Sequence, residues 1–168
     1  MGETGGFLGW KIPVIVYGGV KPHGKINMFD EIKFTEITKQ LTDCEYSLGD
    51  TSRGFDCLSM ILKIYRDMGV KFPDSWDGWT EQNYAERWNK GEGREEFLQW
   101  LSQLGKRVDS NFIRKGDVII FNRNGFIGPG IYLGNDLVFR IYDGDIKGGK
   151  ISPLRHFRNS IVDVRRLV

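Results

Sequence analysis

Apolar positions in this chain follow a helical spacing in its first half and a strand spacing toward its end. A repeat at i, i+3, i+4 and i+7 is formed by Leu58, Ile61, Leu62 and Tyr65. This spacing predicts a helix that begins at Cys57, after a Gly-rich turn. Weaker periodicity predicts a helix over 28–41 and one or two helices over 76–104.

Short runs rich in β-branched residues predict strands in the last third of the chain. These runs are 118–121, 130–133, 137–141 and 161–164. The sequence Gly134-Asn135-Asp136 predicts a tight hairpin between two of them. Residues 1–27 are rich in Gly and Pro, and we expect an arm with one strand over 13–17. Helices followed by an antiparallel sheet indicate an α+β fold.

Length and composition indicate a globular protein with one domain spanning 1–168. The apolar runs are strand-sized and too short to span a bilayer. The chain has 24 basic and 22 acidic residues, and this balance argues against nucleic-acid binding. The N-terminal residues lack the basic segment of a secretory signal, so the sequence leaves the compartment open.

Cys57 is the candidate nucleophile. A thiol at a helix start lies near the positive end of the helix dipole and near unpaired N–H groups, which stabilise the thiolate. The alternative is a buried Cys that acts as a small hydrophobe, which is how we interpret Cys44. Two Cys and two His, His23 and His156, lack zinc-ligand spacing, and we expect no metal or organic cofactor.

The segment from Tyr46 to Cys57 resembles the active-site motif of the NlpC-type cell-wall cysteine peptidases. Matching positions are Tyr46, Gly49, Gly54, Phe55, Asp56 and Cys57. A second match runs over 105–121, and the ending 151–168 is also similar. The resemblance implies a papain-like NlpC-type fold, with a helical half that carries the Cys packed on an antiparallel sheet or half-barrel. In that frame 1–41 is an N-terminal arm and helix, and 76–104 is a helical insertion that covers one side of the cleft.

The resemblance also implies a catalytic His and, twelve residues later, a residue that orients it. The run GPGIYLGN places Gly128 at the His position and Arg140 at the orienting position. Gly has no side chain, and the guanidinium of Arg stays protonated, so neither can act as a base. His23 and His156 are the candidate substitutes.

Two further residues take roles from the family. Tyr46 matches a residue that lines the cleft, where its hydroxyl and the backbone N–H of Cys57 could bind an oxyanion. Asp56 takes a structural or substrate-contacting role. Arg140 is either an anion contact inside the cleft or an outward-facing charge. The Trp residues of 76–104 fit either core packing or contact with a sugar or peptide.

Two functions follow. One is a cysteine hydrolase with an impaired or atypical site that acts on peptide amide bonds, such as those of cell-wall stem peptides. The alternative is an inactive binding or structural module, with a peptide or peptidoglycan-like ligand or a protein partner, in a cell-wall complex or phage tail. An unrelated α+β domain is the third interpretation.

Overall fold

A computed structural model describes residues 29–71, 75–90, 93–141 and 149–167. Its helices are α1 (Glu31–Leu41), α2 (Cys57–Asp67), α3 (Tyr84–Asn89) and α4 (Arg94–Ser102). Its strands are β1 (Ser75–Trp76), β2 (Trp79–Thr80), β3 (Lys106–Arg107), β4 (Val118–Arg123), β5 (Phe126–Gly134), β6 (Leu137–Ile141), β7 (Gly149–Pro153) and β8 (Ile161–Arg166). Short 3-10 turns cover Ser110–Phe112, Leu154–His156 and Arg158–Ser160.

The main sheet is antiparallel, with strand order β3-β8-β4-β5-β6-β7. Alternate residues of its central strands form two apolar clusters, because successive side chains point to opposite faces. One cluster packs against the helices and includes Val118, Ile120, Ile131, Phe139 and Ile141. The other includes Ile119, Phe121, Val138, Leu154 and Val164. The predicted α+β fold, with helices packed on an antiparallel sheet, is confirmed.

Several predicted elements form with changed bounds. The helix predicted over 28–41 begins at Glu31, because Asp30 caps it by accepting a hydrogen bond from the Lys33 N–H at 2.9 Å. Strand β5 begins before the predicted run 130–133, and β7 was not predicted because its sequence GKISP lacks an apolar run. The predicted strand 13–17 lies outside the described residues.

Segment 76–104 is not wholly helical. Strands β1 and β2 pair as a hairpin before α3 begins. Its turn residues Asp77 and Gly78 have φ values of 45° and 77°, the left-handed geometry that an Asp-Gly hairpin favours. Gly93 also has positive φ and precedes α4, so the segment contains two helices, the larger number that the sequence allowed.

A buried ion pair joins the residue before β4 to the last residue of β8. The carboxylate of Asp117, which is 2% exposed, accepts N–H groups of Arg166 at 2.8 and 2.7 Å. It also accepts the backbone N–H of Arg114 at 2.8 Å. The hydroxyl of Tyr65 donates to the carbonyl of Gly116, so the same turn is tied to α2. Strand β8, the start of β4 and α2 therefore meet at one polar junction.

Replacing Asp117 by Asn should lower the free energy of unfolding by about 2–3 kcal/mol, because Arg166 loses its anionic partner. Asp67→Asn is the matched control, since Asp67 pairs with Lys63 on the exposed side of α2. It should cost no more than about 0.5 kcal/mol. Urea denaturation compares the two variants, and equal losses would contradict a special role for Asp117.

Candidate functional site

A cavity of about 630 Å³ lies at the N-terminal end of α2. It brings together four residues singled out from the sequence: Tyr46, Cys57, Gly128 and Arg140. Asp56 is not among its lining residues. The cavity therefore assembles the predicted nucleophile and the two residues, Gly128 and Arg140, that the resemblance aligns with the family His and its orienting residue.

Asp56 is the N-cap of α2. Its Oδ1 accepts the backbone N–H groups of Leu58 and Ser59, each at 2.9 Å, and the Ser59 hydroxyl accepts the Asp56 N–H at 2.9 Å. This reciprocal pair is a capping box. The Oδ2 atom accepts the Gly49 N–H at 2.9 Å and the hydroxyl of Tyr84. The contacts observed for Asp56 are structural, and its assignment as a substrate contact stays a prediction.

Cys57 is the first residue of α2, as predicted, and is half-buried as a whole residue. Burial first, and the neighbouring Asp56 carboxylate second, raise the pKa of the Cys57 thiol to about 12. The backbone N–H groups of Cys57 and Leu58 and the charge of Arg140 oppose this rise in pKa but do not overcome it. Desolvation therefore outweighs the stabilising effect that the helix start has on the thiolate.

Strand register places Gly128 and Arg140 on one face of the sheet. Gly128 is paired with Phe121, and it shares a face with Gly130, two residues further along β5. A Cβ built at Gly130 would lie 2.6 Å from Cγ of Arg140, so Arg140 lies on this face as well. Chain neighbours aside, no described heavy atom lies within 4 Å of a Cβ built at Gly128. We call this opening the Gly128 space. The position at which the family resemblance implies an imidazole is thus open within the described part of the chain.

The guanidinium of Arg140 lies against two aromatic rings that also contact each other. Its Cζ is 5.0 Å from the ring centroid of Phe121 and 4.4 Å from that of Phe157. These distances are typical of cation–π contacts. Of the two alternatives left open by the sequence, Arg140 thus takes the inward one, in the cavity wall.

The candidate substitute base that the structure describes, His156, does not line the cavity. His156 is exposed in a 3-10 turn and is not a lining residue. His23 lies outside the described residues. Among the described lining residues, none carries an imidazole or a carboxylate. Cys57 therefore lacks a neighbouring general base within the part of the site that the structure describes.

Comparison with known proteins places the fold and motif in one family. Residues 43–165 match the model of the NlpC/P60 family. The chain belongs to the NlpC/P60 family.

Among individual relatives, peptidoglycan endopeptidase RipA of Mycobacterium tuberculosis is 28% identical over 102 residues. That match covers 61% of this chain and 17% of RipA, so the chain spans only a small part of that relative.

Solved structures show the same fold. An NlpC/P60 family protein from Bacillus cereus superposes with a TM-score of 0.58 and 21% identity, covering 82% of this chain and 40% of that one. RipD of Mycobacterium tuberculosis, described as a non-catalytic NlpC/P60 domain protein, gives a TM-score of 0.56 at 18% identity. The match covers 82% of this chain and 97% of RipD. None of the described helices of this family member is long and apolar enough to cross a membrane.

Sequence analysis left a contact role open for the Trp residues of 76–104 but missed Tyr84 and Phe97 as aromatic residues of this NlpC/P60 cavity. Tyr84, Trp88 and Phe97, from α3 and α4, line it. Tyr84 and Trp88 are four residues apart on α3, and this spacing was the available signal. Trp79 and Trp100 are fully buried, which supports core packing for these two indoles.

Alkylation of Cys57 by neutral iodoacetamide should be slow at neutral pH. With Cys44 replaced by Ser, the rate should rise about tenfold per pH unit to about pH 10 without a plateau, because the pKa of Cys57 lies above the usual ~8.5. His156→Ala should leave this profile unchanged. A plateau below about pH 8 would show instead that a thiolate is stabilised.

Proposed function

We propose that this chain is a non-catalytic NlpC/P60 domain that binds peptides of the peptidoglycan type in the cavity beside Cys57. The observation that carries the proposal is the Gly128 space in a cavity that Cys57 lines and whose described lining holds no imidazole or carboxylate. A cysteine hydrolase needs a thiolate to attack the amide and an acid to protonate the leaving amine. Among the described lining residues, no side chain suits either proton transfer at neutral pH.

The cavity walls suit a peptide. Tyr46 and Trp88 offer aromatic surface, and Asn89 and Asn124 offer amide groups that can both donate and accept hydrogen bonds. A peptide has apolar side chains and backbone amides that match these two kinds of wall. Binding of this type requires no ionised Cys57.

Relatives support both kinds of role for this fold. RipA is named a peptidoglycan endopeptidase, whereas RipD is described as adapted to a peptidoglycan-binding function. The retained Cys57 favours descent from hydrolases, and the changed Gly128 position favours binding for this chain. The proposal therefore adopts the binding role.

The protein should sediment with insoluble peptidoglycan and release no soluble peptides from it. Cys57→Ser should release as little peptide as the wild type. Trp88→Ala should lower the sedimented fraction several-fold by removing aromatic contact area. Phe112→Ala is the matched control, because Phe112 is 70% exposed and is not a lining residue. Peptide release that disappears in Cys57→Ser would identify a hydrolase instead, and failure to sediment would refute binding.

Gly128→His should make Cys57 react faster with iodoacetamide at neutral pH. The Gly128 space can receive the new side chain, and an imidazolium near the thiol favours its thiolate form, which lowers the pKa. Gly128→Ala is the control, since it adds a Cβ without a titratable group. Equal rates for the two variants would show that the missing imidazole does not explain the protonated thiol.

A further inference from the structure

We propose that the cavity binds a carboxylate group of its ligand, held by Arg140 in the Gly128 space. The inference rests on the proposed binding function and specifies its ligand as an anionic peptide. It assigns a binding role to the pair of positions at which the family resemblance implies a catalytic His and its orienting partner.

The charged side chains of the described lining favour an anion. Its described lining residues include the guanidinium groups of Arg123 and Arg140 and no carboxylate. Asp56 precedes Cys57 in sequence, but its oxygens accept hydrogen bonds from α2, from Gly49 and from Tyr84. The thiol of Cys57 is neutral at physiological pH because its pKa is raised, so it does not repel an anion.

Arg140 is held in place before a ligand arrives. The rings of Phe121 and Phe157 contact each other and its guanidinium, and its aliphatic stem lies over Gly130, where any Cβ would collide with it. Restricting the side chain in advance reduces the entropy lost on binding. The guanidinium presents N–H donors in a planar fork that matches the two oxygens of a carboxylate.

The Gly128 space provides the room. Gly128 shares a sheet face with Arg140 and adjoins Phe121, so a carboxylate in this space would lie between an arginine and largely apolar walls. A partly desolvated charge pair is stronger than an exposed one when its hydrogen bonds are satisfied. The amides of Asn89 and Asn124 can meet the peptide part of the same ligand, which favours a peptide carboxylate.

The test compares two probes that differ by one charge, N-acetyl-trialanine as the free acid and as its C-terminal amide. NMR titration of the full chain should show that the acid binds about tenfold or more tightly than the amide, as expected for a charge-assisted hydrogen bond. Arg140→Gln should bring the acid to the affinity of the amide. Arg158→Gln is the matched control, because Arg158 is exposed and is not a lining residue.

A second pair of variants tests the space itself. Gly128→Ala should keep the preference for the acid, whereas Gly128→Leu should remove it by filling the space. Neither substitution meets a described atom at Cβ, so both variants should fold. A wild type that binds acid and amide equally, or an Arg140→Gln variant that keeps the preference, would overturn the proposal.

Sedimentation with peptidoglycan distinguishes a failure of the carboxylate site from a failure of the proposed binding function. Retention on peptidoglycan with equal affinity for the two probes would refute the carboxylate site and leave the binding function standing. Loss of both retention and probe binding would refute both. Retention together with an Arg140-dependent preference for the acid would support both.

Discussion

The buried carboxylate of Asp56 is the interaction on which the site depends. It accepts hydrogen bonds from the start of α2, from the loop at Gly49 and from the hydroxyl of Tyr84 on α3. A buried charge is tolerated only when it is satisfied in this way. Gly49 lies close against α3, since a Cβ there would be 2.5 Å from Cβ of Ala85. One side chain thus fixes the loop and the helices that form the helical wall of the cavity.

The same contacts explain why the helix start does not activate Cys57. The N–H groups of Leu58 and Ser59 donate hydrogen bonds to Asp56. This cap offsets the positive potential of the helix N-terminus, which would otherwise stabilise a thiolate. The carboxylate also adds a negative charge beside the sulfur, which raises the pKa of Cys57. A thiolate at this position would therefore need a cation closer than Arg140, and the Gly128 position supplies none.

Local sequence patterns predicted the helices and strands, whereas contacts between residues distant in sequence determine the chemistry of the site. The start of α2 at Cys57 and the bounds of β6 follow from apolar spacing alone. The Asp77-Gly78 hairpin signal was present but was overlooked within an apparently helical region. The raised pKa of Cys57 arises mainly from burial by the folded chain, and the aromatic partners of Arg140 come from β4 and from the segment before β8. No short stretch of sequence contains that information.

On the proposed function, Gly128 and Arg140 together determine what the cavity can recognise. An imidazole at Gly128 would fill the space and could exchange protons, whereas an open position next to an arginine offers room and a permanent positive charge. The guanidinium of Arg140 does not titrate near neutral pH. Its attraction for an anion therefore does not depend on a change in its own protonation state. A neutral thiol is compatible with that arrangement, and a thiolate would compete with the ligand for Arg140. The raised pKa of Cys57 opposes hydrolysis because it keeps the thiol protonated. The same neutral thiol suits anion binding.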